Sequence, residues 1–254
     1  MKKIYILPNL FTTANFFCGV LALSWIFQGK FQSAAFIILL AMVFDFVDGQ
    51  VARFYHATSR FGLEYDSLAD FLTFGLAPAF LVYNYVLIEW GRIGIGLAFL
   101  YAVFAALRLA RFNTQVKAEE KTNFVGLPSP ISAGVLISFF IMIYRHRLTG
   151  WEKALPFIMI VLSWLMISNF TYPTLLTLQL KRKKPFLYLV ALCLVVVIFL
   201  FWVEIGLVVG FVSYTLTGIT DRLKRQTKIK KSEEDLRLHI ERRRGDSTWS
   251  QKDV

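Results

Sequence analysis

The sequence predicts an all-α protein, a polytopic membrane helix bundle of about eight transmembrane helices. Of its 254 residues 56% are hydrophobic, and the mean hydropathy is +0.55, which exceeds a normal soluble composition. The apolar residues fall into long runs of the length that a bilayer crossing requires. The net charge of +11 lies mostly between these runs and in the C-terminal tail, as membrane orientation requires.

Eight apolar runs define the predicted spans in chain order. Six form a core, and they cover about 5–28, 33–55, 62–86, 93–112, 130–144 and 154–178. Two shorter runs, at about 186–202 and 204–220, are either two further spans or a tight re-entrant pair. Residues 1–220 therefore form one predicted transmembrane domain, and 221–254 form a basic cytoplasmic tail, either solvated or lying on anionic lipid.

The loop charges predict how the bundle is oriented. Lys2 and Lys3, the 53–60 turn, the 108–121 loop, the basic run 181–184 and the tail all fall on one side, which is then cytoplasmic. The basic 145–153 loop goes against this rule. We expect a multi-pass protein of the inner, cytoplasmic membrane. The tail shows no aromatic pattern or fold signal that supports nucleic-acid recognition, so no nucleic-acid partner is expected.

Four carboxylates interrupt the second and third apolar runs. Asp45 and Asp48 precede a short polar turn near position 57, and Asp66 and Asp70 follow it at nearly matched distances. The turn makes the two helices antiparallel, so the acids are expected at matched depths and converging. An acidic side chain inside a membrane helix costs at least about 2.5–3.5 kcal/mol. Hard divalent ions such as Mg²⁺ or Mn²⁺ are the natural compensation for such an all-oxygen site.

Small and basic residues accompany the acids at fixed positions. Gly49 and Ala52 leave backbone open to a bulky group, Arg53 can bind phosphate, and Gly62 shares a helix face with Asp66. The complete pattern is Asp45-x2-Asp48-Gly49-x2-Ala52-Arg53-x8-Gly62-x3-Asp66-x3-Asp70. It resembles the signature of the CDP-alcohol phosphatidyltransferases, without departure at any fixed position.

This resemblance implies roles for the individual residues. Asp45, Asp48 and Asp66 would share two divalent ions, and Asp70 would be a ligand or near-ligand that takes the proton from the acceptor hydroxyl. Cytidine and ribose would approach Gly49, Ala52 and Gly62, and Arg53 would hold phosphate. Asn9, Thr12 and Thr13 would line the nucleotide site, with helix capping and interhelix hydrogen bonds as the open alternative.

A second pattern concerns the acceptor alcohol. Arg108-x2-Arg111-Phe112-Asn113, followed by Gly126-Leu127-Pro128-Ser129-Pro130, resembles the serine-using branch of the family. Two arginines at a helix end can bind the serine carboxylate, with Asn113 and Ser129 beside them. Alternatively, Arg108 and Arg111 are cytoplasmic anchors that obey the charge rule.

The resemblance thus predicts transfer of a phosphatidyl group from CDP-diacylglycerol to L-serine by a membrane enzyme, here expected to be a homodimer. Glycerol 3-phosphate is the alternative acceptor, because arginines would also bind its phosphate. An ion-coupled transporter is an alternative of another class. It predicts carboxylates at the membrane midplane and inverted repeats, and neither is evident in the sequence.

Overall fold

A computed structural model describes residues 6–54, 59–116, 123–148, 150–173 and 206–216, in which nearly every residue is helical. The helices are α1 (Ile6–Phe27), α2 (Phe31–Phe54), α3 (Arg60–Asp70), α4 (Ala77–Tyr85), α5 (Arg92–Val116), α6 (Ser129–Arg145), α7 (Ala154–Ile167) and α8 (Gly206–Leu216). A π-helical segment, Phe71–Leu76, joins α3 to α4, and short 3₁₀ turns cover Leu87–Trp90 and Trp151–Lys153. Two short strands, β1 (Asn123–Val125) and β2 (Thr171–Pro173), pair antiparallel.

The helical class and the membrane character agree with the prediction. Within the described ranges, α1, α2 and α5 are each long and apolar enough to cross a membrane, and α6 and α8 are shorter apolar helices. The third predicted span corresponds to the run α3, π-segment and α4, which follow one another without a break. The predicted span 186–202 and the tail 221–254 lie outside the described residues, so the number of eight spans stays a prediction.

Helix α1 is the element on which the acidic helices are assembled. It packs against α2, α3, the π-segment and α4, whereas α2 and α3 make few close backbone contacts with each other. Large apolar side chains on the outside of the bundle are exposed, including Phe17, Phe46, Phe99 and Trp164. Since soluble proteins rarely expose so much apolar surface, these faces suit contact with lipid.

The predicted sixth span was wrong at its C-terminal end. Helix α7 ends at Ile167 rather than near residue 178, and β2 begins at Thr171. Gly126, with φ +87°, turns the chain after β1, and its N–H donates to the carbonyl oxygen of Phe170 at 2.8 Å. This ribbon requires an extended chain after α7, and the all-α prediction did not include it. Its pairing joins residues distant in sequence, which local patterns do not reveal.

Helix α8 packs against the core through Gly134 of α6. A Cβ atom at Gly134 would lie 2.5 Å from the ring of Phe211, so only glycine permits this approach. Phe211, Val212 and Tyr214 are partly buried against the main hydrophobic core. The predicted C-terminal span thus includes a helix that belongs to the bundle.

Gly19 of α1 determines how closely α1 approaches the π-segment. A Cβ atom there would collide with Oγ1 of Thr73 and with the side chain of Leu72. We therefore expect Gly19→Ala to destabilise the protein by about 1–3 kcal/mol, because the added methyl overpacks this contact. Thermal unfolding in detergent measures the loss. Gly96→Ala is the matched control, since nothing lies within 4 Å of a Cβ at that helical glycine, and an equal loss there would contradict the prediction.

Candidate active site

Three carboxylates from α2 and α3 meet between the helices. Asp45, Asp48 and Asp66 each offer one oxygen, and these oxygens all lie within 4.8 Å of one another. Asp48 is 5% exposed, and the other two are half-buried. The predicted convergence of these three residues is confirmed. Three negative charges this close repel strongly in a medium of low dielectric, so the arrangement favours a bound cation.

Asp70 lies beside this trio. Its side chain is 6% exposed and interacts electrostatically with Asp45 and Asp66. It stands at the end of α3, immediately before the π-segment. Segments of π-helix inside α-helices occur frequently at functional sites. Asp70, the fourth predicted acid, thus lies next to the other three at the end of α3, on the side of the cluster that faces α1.

Two polar residues of α1 hold the acids in place. The hydroxyl of Thr12 lies 2.9 Å from Oδ2 of Asp48 and 3.2 Å from the carbonyl oxygen of Pro8, and its single proton serves one acceptor at a time. Asn15, fully buried, donates from Nδ2 to Oδ1 of Asp70 at 3.3 Å. Thr12 was among the predicted site residues, whereas Asn15 was not. A buried asparagine in an apolar run was the signal that could have identified it.

Arg108 of α5 is a buried cation that interacts with the acidic cluster. It is 8% exposed, interacts electrostatically with Asp70, Asp45 and Asp66, and donates to Oγ of Ser129 at 3.2 Å. Its guanidinium also lies 5.3 Å from the ring centre of Phe112. Tyr214 of α8 is within electrostatic reach of the same guanidinium. The sequence-predicted Arg108 and Ser129 are thus brought together beside the acidic cluster.

Arg111 and Asn113 have other partners in the structure. The guanidinium of Arg111 donates to the carbonyl oxygen of Ile167 at 3.0 Å and to Oδ1 of Asn169 at 2.6 Å, at the end of α7. It satisfies a carbonyl that the helix end leaves without an intrahelical partner. Asn113, 8% exposed, exchanges hydrogen bonds with Ser67 and donates to Glu64, which ties α5 to α3.

The residues predicted for the nucleotide lie at the start of α3 and along α2. Ser59 caps α3 by accepting from the N–H of Gly62 at 2.9 Å, a cap that sequence analysis missed. A Cβ at Gly62 would lie 3.5 Å from Oδ1 of Asn9, so α1 and α3 approach closely there. Gly49 and Ala52 are half-buried on α2, and the side chain of Arg53 lies outside the described residues.

The donor set fits a hard divalent ion. All candidate ligands are carboxylate oxygens, which Mg²⁺ and Mn²⁺ prefer. Oδ1 of Asp66 is buried and has no hydrogen-bond partner within the described ranges. A buried oxygen of this kind requires a partner, and a cation between the three carboxylates would supply one. Asp45, Asp48 and Asp66 are the residues that would hold it.

The fold and site define an integral membrane protein with a cluster of carboxylates, between two of its helices, that could hold a metal ion. The family model for CDP-alcohol phosphatidyltransferase matches residues 5–169. The chain belongs to the CDP-alcohol phosphatidyltransferase family, as the signature over Asp45–Asp70 predicted.

The chain is also similar to individual proteins of this family. The chain is 36% identical over 200 residues to the CDP-diacylglycerol–serine O-phosphatidyltransferase of Helicobacter pylori. This aligned region covers 78% of this chain and 84% of the relative. It is 35% identical over 167 residues to the Bacillus subtilis protein of the same name, and this alignment covers 66% of this chain and 89% of the relative. It is 38% identical over 174 residues to the archaetidylserine synthase of Methanothermobacter thermautotrophicus, which covers 66% and 69%.

Proposed function

We propose that the protein transfers the phosphatidyl group of CDP-diacylglycerol to the hydroxyl of L-serine, giving phosphatidylserine and CMP. The observation that carries this proposal is the carboxylate cluster of Asp45, Asp48 and Asp66, with the orphaned Oδ1 of Asp66, in a chain of this family. The choice of serine rests on relatives named for serine in bacteria and on an archaeal relative named for archaetidylserine.

The proposed reaction is a direct in-line displacement. The acceptor oxygen forms a bond to the phosphorus that carries diacylglycerol, and the bond from that phosphorus to the bridging diphosphate oxygen breaks. CMP leaves with the electron pair, and Asp70 takes the proton of the hydroxyl. Two divalent ions, when bound, would neutralise the diphosphate and stabilise the charge on the attacking and leaving oxygens.

The remaining residues are proposed to orient the two substrates. Gly49, Ala52 and Gly62 leave room for cytidine and ribose. Asn9 and Thr12 of α1 line the nucleotide site, and Arg53 binds phosphate. Arg108 has a buried guanidinium beside the acids and a hydroxyl partner in Ser129, so it suits the serine carboxylate. The contacts of Arg111 and Asn113 favour roles in fixing α7 and α3.

The same proposal places the enzyme in the inner membrane. The basic loops 53–60 and 108–121 point the acidic cluster toward the cytoplasm, where serine is available. A homodimer and the division into residues 1–220 and a tail 221–254 are part of the proposal, on the strength of the family resemblance and of the composition of the tail.

An acceptor panel tests this function. Protein purified in detergent is incubated with CDP-diacylglycerol, Mg²⁺ or Mn²⁺, and either L-serine or glycerol 3-phosphate, and the lipid product is identified by mass spectrometry. Phosphatidylserine with stoichiometric release of CMP is expected. Phosphatidylglycerophosphate as the product would reassign the acceptor, and no lipid product with any alcohol would overturn the class of reaction.

Arg108→Ala is expected to raise the KM for serine by about 10–100-fold, because a buried charge-assisted hydrogen bond contributes about 1.5–3 kcal/mol. The KM for CDP-diacylglycerol should change far less. Arg92→Ala is the matched control, since Arg92 is exposed at the start of α5, away from the cluster. An unchanged serine dependence in Arg108→Ala would return this residue to the role of a membrane anchor.

Removal of divalent ions is expected to abolish turnover. With the carboxylates of Asp45, Asp48 and Asp66 uncompensated, the diphosphate would meet like charge at the site. Activity is measured in excess chelator and again after adding Mg²⁺ or Mn²⁺, which should restore it. Full turnover in chelator would argue against the cation site.

A further inference from the structure

Asn15 is a polar residue of α1 at the site, and the proposed reaction assigns it no role. It is fully buried and lies in an apolar helix that faces the acidic cluster. Its Nδ2 donates to Oδ1 of Asp70 at 3.3 Å. Its Oδ1 is buried and has no hydrogen-bond partner among the residues that the structure describes.

The orientation of this amide follows from its neighbour. A carboxylate only accepts hydrogen bonds, so Asn15 must present its NH₂ group to Asp70 and turn its oxygen away. The nearby hydroxyl of Thr73 does not satisfy that oxygen, because it donates to the backbone carbonyl of Asn15 at 3.2 Å. Leaving a buried acceptor unsatisfied costs about 1–3 kcal/mol, so the position calls for a donor that the described part of the chain does not supply.

The required donor must stand beside Asp70. Oδ1 and Nδ2 of Asn15 share one carbon atom, so a group that donates to Oδ1 lies next to the carboxyl that Nδ2 holds. In the proposed reaction Asp70 meets the hydroxyl of serine. The α-ammonium of serine is attached one carbon further along, and it is a cationic donor without a partner among the residues assigned so far.

We infer that the side-chain oxygen of Asn15 binds the α-ammonium of the acceptor amino acid, while its amide NH₂ positions Asp70. This inference rests on the proposed function and extends it from the acceptor hydroxyl to the acceptor as a whole. Together with Arg108 for the carboxylate, it gives three-point recognition. Glycerol 3-phosphate has no ammonium group, so Asn15 would also discriminate against it.

The test compares serine with 3-hydroxypropanoate, which keeps the hydroxyl and the carboxylate but lacks the ammonium group. The KM for serine and the inhibition constant of 3-hydroxypropanoate are measured for the wild-type protein, for Asn15→Ala and for Asn15→Ser. Asn84→Ala is the matched control, because the hydrogen bond of this half-buried asparagine in the described structure goes to the carbonyl of Phe80 within its own helix. CMP binding by each variant reports whether the nucleotide site is intact.

We expect Asn15→Ala to reduce the preference for serine over 3-hydroxypropanoate by about tenfold or more, as loss of one hydrogen bond to a charged group implies. Asn15→Ser should show a smaller reduction, and Asn84→Ala should leave the preference within about twofold of wild type. CMP binding should persist in all three variants.

Two results would overturn the inference. Equal weakening of serine and 3-hydroxypropanoate in Asn15→Ala would show that the oxygen does not meet the ammonium group. Loss of CMP binding in both Asn15 variants would make Asn15 a structural residue. Failure of the wild-type protein to form phosphatidylserine would instead contradict the proposed function, so the two failures are distinguishable.

Discussion

Asp66→Asn is expected to weaken binding of Mg²⁺ or Mn²⁺ by about 100-fold or more and to abolish turnover at ordinary metal concentrations. The carboxylate of Asp66 belongs to the trio whose oxygens lie within 4.8 Å of one another, and no described residue donates a hydrogen bond to its Oδ1 in place of a cation. The amide that replaces it is neutral and offers a single acceptor oxygen. Metal titration of activity, together with direct binding of Mn²⁺, measures both effects.

The control for Asp66→Asn removes an acid elsewhere. Glu89→Gln changes an exposed glutamate on the short turn Leu87–Trp90, and it should leave metal dependence and turnover unchanged. If Asp66→Asn keeps the wild-type metal requirement, the cluster is not the cation site. If Glu89→Gln loses activity as well, the effect reflects net charge rather than the geometry of the trio.

Asp70→Asn is expected to lower kcat by about 10²–10⁴-fold while binding of CDP-diacylglycerol is largely kept. The substitution removes the group proposed to accept the proton but preserves the size of the side chain. The amide oxygen can still accept from Nδ2 of Asn15, so the contact with α1 persists. Turnover and liponucleotide binding, measured on the same preparation, separate chemistry from assembly.

Two outcomes would contradict the role of Asp70 as proton acceptor. Near-normal kcat in Asp70→Asn would exclude Asp70 as the proton acceptor. A parallel loss of liponucleotide binding would indicate instead that the residue mainly holds the bound nucleotide and its ions. Asp70→Glu, which keeps the carboxylate but moves it by one methylene, should retain more turnover than Asp70→Asn.

The acidic cluster could be predicted because its signal is local. Spacings of three and four residues put Asp45 with Asp48, and Asp66 with Asp70, on single helix faces, and the short turn between the helices brings the two pairs together. The contribution of α1 was harder to foresee. Thr12 and Asn15 reach acids 36 and 55 residues away, and no periodic pattern specifies such contacts.

Other features depend on contacts that form only in the folded chain. Beyond Ile167 the sequence reads Ser-Asn-Phe-Thr-Tyr-Pro before apolar residues resume at Leu175, and the helix ends there against the ribbon of β1 and β2 and the hydrogen bond from Arg111. Serine binding by Arg111 and Asn113 stays a prediction, because charge and spacing alone cannot tell a substrate partner from a structural one. The π-segment was not predicted, although it contains Gly75 and is followed by Pro78, residues that occur where helices depart from regular α geometry.

The π-segment Phe71–Leu76 has a consequence for the angular phase of its helix. An α-helix advances by about 100° per residue, whereas a π-turn closes its hydrogen bond one residue later and so absorbs an extra position. The half with Asp66 and Asp70 is thereby turned relative to the half that begins at Ala77. A single-residue deletion within this segment would leave both halves helical yet swing one away from the other, so chain length here sets the direction in which the carboxylates point.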